Sequence, residues 1–91
     1  MDYTKYEMTK PWPVRTSYDS LNALREARNA WNAELNNLQQ VQFKADALAE
    51  LGLTGHPKAD KAFDMAWEDG HSGGIGYVFE RLDRYAELLL P

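Results

Sequence analysis

"SLNALREARNAWNAELNNLQQVQFKADALAEL", Ser20 to Leu51, contains neither proline nor glycine, and the spacing of its apolar residues decides the fold. Leu21, Leu24, Trp31, Leu35, Leu38, Val41, Ala45 and Leu48 recur at threes and fours, the repeat of a helix and not the alternation of a strand. Ser20 is suited to cap the start, and Gly52 stands where a helix-ending glycine belongs. The spacing therefore predicts one long helix over about 20–51. At ~1.5 Å per residue such a rod is roughly 45 Å long, more than the expected width of a compact 91-residue chain. Its middle is polar, with Asn29, Asn32, Asn36, Asn37, Gln39, Gln40 and Gln42 beside a narrow apolar stripe. That pattern suits a helical hairpin or a coiled-coil seam. Self-association or a partner protein is the natural way to bury whatever part of the stripe shorter helices leave open.

Two shorter helices follow. Pro57 is expected at the first helical position, where its missing N–H costs nothing, opening a helix to about Asp69. Ala59, Ala62, Phe63, Ala66 and Trp67 line one face of it, with Met65 near the edge. Ile75, Val78, Phe79, Leu82, Ala86 and Leu89 then mark a strongly amphipathic last helix ending at Pro91. Ahead of the long helix, Pro11 and Pro13 flank Trp12 and disfavour helix in residues 1–17. That arm is expected to fold back and lay Trp12 and a tyrosine or two over the helices. The fold class is all-α: one long helix (about 20–51) packed with two shorter C-terminal helices, preceded by an extended Pro/aromatic arm. We read it as a single helical domain, with the arm at 1–17, the long helix at 18–52 and a helix–turn–helix at 56–91.

Composition narrows the function. There are no cysteines, so disulfides and cysteine-based zinc sites are excluded and a reducing compartment fits. No apolar run approaches the ~20 residues of a membrane span, and no secretory leader is evident; the expected location is the cytoplasm. Residues 1–46 balance six Lys/Arg with six Asp/Glu, whereas residues 47–91 set four (Lys58, Lys61, Arg81, Arg84) against eight acids and carry the whole net charge of −4. That balance argues against non-specific nucleic-acid binding, which needs a basic patch to displace counterions.

One motif tests for catalysis. Gly70-His71-Ser72-Gly73-Gly74 formally matches the G-x-S-x-G turn that carries the serine of many hydrolases. A nucleophile elbow needs a strand before the serine, but Lys61 to Asp69 is helical in pattern. We therefore expect no catalytic residue. Gly70 is read as a C-cap, Ser72 as the N-cap of the last helix, and Gly73, Gly74 and Gly76 as permitting close approach of backbone, under Trp67 or Trp31. Pro57, Gly70, His71, Ser72 and Gly74 are thus structural turn residues. His56 and His71 with scattered acids lack the spacing of a metal site, and each is expected to hold a turn by bonding a backbone carbonyl. No cofactor is expected.

The stretch "GHPKADKAFDMAWEDGHSGGIGYVFERLDRYAELL", Gly55 to Leu89, resembles a pattern in small uncharacterised proteins of tailed bacteriophages. There His-Pro-Lys-Ala opens a helix, Ala-Trp-Glu lies near its end, and Gly-His-Ser-x-Gly leads to a last helix ending in Glu-Leu-Leu. The match falls on His56 to Ala59, Ala66 to Glu68, Gly70 to Ser72, Gly74, and Glu87 to Leu89. Gly74-Ile75-Gly76-Tyr77-Val78 departs from it, a more polar turn leading to Glu-Val being expected there. The resemblance implies a setting, the cytoplasm of an infected bacterium, and no activity. The leading expectation is a non-enzymatic accessory protein that binds and inhibits or redirects a host bacterial protein. Trp12, Trp31 and Tyr77 are the candidate anchors, with Asp64 and Glu68 beside them; Asp60, Asp64, Glu68 and Asp69 form either a modest acidic stripe or an ordinary solvated face. A self-associating homo-oligomeric assembly protein is the second expectation, and a nucleic-acid-binding module using the Tyr3–Arg15 arm the third.

Overall fold

The computed structural model describes residues 1–90, and among them there are helices and turns but no strand. The long helical stretch has three parts: α1 (Leu21–Asn36), a π-helical segment (Asn37–Phe43) and α2 (Lys44–Glu50). Two shorter helices follow, α3 (Ala59–Gly70) and α4 (Ile75–Leu89). The protein is all-α, with one long and two shorter C-terminal helices, as the apolar spacing implies. The chain divides into two compact units, Asp2–Gln42 and Phe43 onward, and the boundary falls inside the π-segment.

The long stretch begins as its sequence demands. Ser20 is extended, and its Oγ accepts the N–H of Ala23 at 3.1 Å, satisfying one of the free first-turn donors. It ends in a Schellman motif, with Leu53 N–H donating to Leu48 O (2.8 Å) and Gly52 N–H to Ala49 O (3.1 Å). Gly52 supplies the left-handed φ of +73° that this motif requires.

Between those ends the simple helical count fails. Val41 is 56% exposed and Ala45 is exposed, while Phe43 and Ala47 are completely buried. The inward positions run Leu24, Trp31, Leu35, Leu38 and then Phe43, Ala47 and Leu48. The step from Leu38 to Phe43 is five residues, the i→i+5 repeat of a π-turn. Hydrophobic stabilisation scales with the apolar area removed from water, so burying the larger phenylalanine outweighs burying valine. Phe43 thus sets the register, and its ring lies 6.0 Å from that of Phe63 on α3.

In the first unit the arm lies on α1. The Trp12 and Trp31 rings meet edge-on, with centroids 5.1 Å apart and planes at 88°. Trp31 Nε1 donates to Lys10 O (2.9 Å), Arg28 Nε donates to Pro13 O (3.1 Å), and Lys10 pairs with Glu34 at 3.0 Å. The arm is less extended than its prolines imply, since Thr4–Tyr6 and Arg15–Ser17 form single 3-10 turns. Tyr6 is almost fully buried.

In the second unit α2, α3 and α4 share a core of Phe43, Ala47, Leu53, Phe63, Val78 and Leu82, with alanines filling the closest approaches. Lys44 bonds Asp60 at 3.1 Å and stands over the Phe63 ring, tying α2 to α3. α3 starts at Ala59, two residues later than Pro57 suggests. The His56 ring accepts the Lys58 N–H through Nδ1 (3.0 Å) and His56 O accepts the Ala59 N–H (3.0 Å), so residues 56–58 form a turn and not a helical start.

Candidate functional site

The turn between α3 and α4 assigns its glycines differently from the sequence reading. Gly70 is not a left-handed cap but the last residue of α3, with φ −123°. A Cβ there would stand 2.9 Å from Tyr77 C and Val78 N, so Gly70 is the point where α3 touches the α4 backbone. Gly74 is the N-cap of α4 and takes φ +98°, a conformation that side chains resist. Ser72 does not cap α4; it lies exposed in the 3-10 turn His71–Gly73, and no side chain caps that helix. For Gly70 and Gly73 the close-packing partner is therefore Tyr77–Val78, not Trp67 or Trp31, and Gly74 has no close approach at all, with nothing within 4 Å of where a Cβ would stand. Gly73 lies directly beneath the Tyr77 ring.

His71 holds the turn as expected. Its Nδ1 is 2.8 Å from Trp67 O; a carbonyl only accepts, so Nδ1 carries the hydrogen. The ring stacks on Trp67 at 5.8 Å and 9°, and Trp67 stacks on Phe63. His56 differs, accepting an amide N–H where a carbonyl partner was expected. Tyr85 completes the clamp, its hydroxyl donating to Asp69 Oδ2 at 2.6 Å. That bond, ahead of desolvation, raises the Tyr85 pKa above the ordinary 10.0, because the phenolate would lose the bond and face a carboxylate. Asp2 shifts oppositely, below its ordinary 3.8, because Thr4 donates to it from both Oγ1 (2.6 Å) and N (3.0 Å).

Of the candidate binding residues, Trp12 and Trp31 are brought together in the first unit, where Arg28 also covers the Trp12 ring at 5.0 Å. Tyr77 (57% exposed), Asp64 and Glu68 lie in the second unit. Asp64 and Glu68 are exposed one turn apart on α3.

A feature that the periodicity hides lies between the start of α3 and the end of α4. A groove of about 280 Å³ is walled by Ala62, Met65, Tyr85, Leu88 and Leu89, and its charge comes from Lys58 and Lys61. Leu88 is 83% exposed and Met65 43%. Positions 61, 62 and 65 share one face of α3, with Lys58 just ahead of its first turn, as 85, 88 and 89 share one face of α4. The signal was the run Leu88-Leu89-Leu90: three consecutive leucines cannot all lie in one apolar stripe. No group of His, Asp and Glu among the described residues is arranged to hold a metal ion, and none of the described helices is long and apolar enough to cross a membrane.

Comparison with curated proteins and with solved structures finds no match. A family model does match, over residues 6–90, nearly the whole 91-residue sequence. By that match, the chain belongs to a family of unknown function, DUF8546.

Proposed function

We propose that the protein is a non-enzymatic accessory protein that works by docking on another protein through the groove between α3 and α4. One observation carries this reading: Leu88, 83% exposed, and Met65, 43% exposed, flank an open apolar groove. Clustered exposed apolar side chains cost solubility and mark interaction sites. The likeness of Gly55–Leu89 to tailed-bacteriophage proteins supplies the setting, a bacterial cytoplasm, and hence a host protein that is inhibited or redirected. Trp12 and Tyr77, both exposed, are secondary contact points.

The test is a pull-down of tagged protein from bacterial lysate beside the Leu88→Asp variant, with complex mass measured by light scattering on a sizing column. A stoichiometric host protein retained by the parent and lost by the variant is the expected result. Equal retention by both would move the docking surface elsewhere. A homo-oligomer that dissociates on the substitution would make the groove a self-assembly surface.

A further inference from the structure

We infer that the occupant of the α3–α4 groove is an acidic amphipathic helix of the partner, which inserts apolar side chains between Met65 and Leu88 and sets carboxylates against Lys58 and Lys61. The inference rests on the docking reading above and specifies its ligand.

Charge placement carries it. The C-terminal half is acidic, with four basic residues against eight acids, yet two of those four line this groove and no lining residue is acidic. Among the described residues neither lysine ammonium has a carboxylate partner within ion-pair distance. Beside the wall, the Asp69 carboxylate is engaged by the Tyr85 hydroxyl and that of Asp60 by Lys44. Both helix ends contribute partial charge, but in opposite senses: the start of α3, which has no side-chain cap, is positive and the end of α4 negative. They largely offset each other, leaving two full positive charges to select the ligand.

Shape sets the length. The wall runs from Lys58, ahead of α3, through the first two turns of that helix to Met65, roughly 10 Å at ~1.5 Å per residue. A helix laid in a groove presents anchors at i, i+3 or i+4 and i+7, so a wall of this length faces one or two of them. The ligand therefore has one or two leucine-like anchors, with Asp or Glu a turn away.

The experiment uses the full chain and three synthetic helical peptides of one pattern, leucine on one face and Glu, Gln or Lys at every other position. Binding is read by NMR shifts of the Met65 and Leu88 methyl groups. The Glu peptide is expected to bind about tenfold more tightly than the Lys peptide, since two attractive exposed pairs replace two repulsive ones. The Gln peptide falls between, and Lys58→Glu/Lys61→Glu reverses the order without lowering the thermal melt, since carboxylates suit the positive start of α3. Equal affinity for all three peptides would overturn the acidic ligand but leave the docking reading intact. Preference for the Lys peptide, or an unchanged order in the double variant, would also overturn it. No methyl shift with any peptide would overturn both. The same shifts on concentrating the protein alone would identify the occupant as a second copy and overturn the acidic ligand.

Discussion

At the scale of single residues, the turn at 70–74 turns on which glycine lacks room and which needs an unusual φ. Gly70→Ala places a methyl 2.9 Å from two backbone atoms of α4. Alanine would favour the helix by ~1 kcal/mol, but overpacking against backbone costs about 1–3 kcal/mol. We expect a net loss of up to about 2 kcal/mol in a urea titration. Gly73→Ala meets only the Tyr77 ring, an exposed side chain that can swing aside, and should cost less; the reverse order would show that α3 and α4 are not in contact there. Tyr85 provides a pH-dependent test. Its folded pKa lies above its unfolded value, so its stabilising effect is complete below about pH 10 and is lost as pH rises through the folded value. The parent's melting temperature should therefore fall more steeply above pH 10 than that of Tyr85→Phe. Parallel curves would mean that the bond to Asp69 does not persist in solution.

At the scale of elements, the π-segment separates what was legible in the sequence from what was not. Helix type, the Ser20 cap and the Gly52 stop were legible because each depends on neighbours a few residues apart. The burial of Val41 and Ala45 was misread because a constant repeat of 3.6 was carried through residues 37–43, where the winding is wider. Nothing in one polar, amide-rich stretch says which later aromatic will pull the register round; that is decided by Phe63, twenty residues on. Phe43→Ala should accordingly cost about 3–5 kcal/mol, while Val41→Ala stays within about 0.5 kcal/mol. Equal losses from the two would restore the uninterrupted stripe. The glycine roles were misassigned for a related reason: sequence shows where glycines cluster, but φ and helix separation assign each one. The groove was missed because Leu89, counted into the apolar stripe of α4, drew attention from Leu88 beside it.

At the scale of the whole molecule, a net charge of −4 repels the acidic ligand that the two groove lysines attract. Added salt screens both effects, over about 10 Å at 0.1 M. Affinity for the Glu peptide should therefore change less between low and moderate salt than two isolated ion pairs would suggest. A calorimetric salt series would check this, and a slope as steep as that of a basic protein binding a polyanion would count against it. The three tryptophans are also divided between the units, Trp12 and Trp31 in one and Trp67 in the other. Two indoles at 5.1 Å are close enough for their electronic transitions to mix, so the pair should give a signed band in circular dichroism that a lone indole lacks. Trp12→Phe would remove that band while leaving the helical signal. The chain thus carries its own optical gauge of arm docking on α1, and Trp67 emission in a Trp12→Phe/Trp31→Phe background reports the other unit without any attached dye.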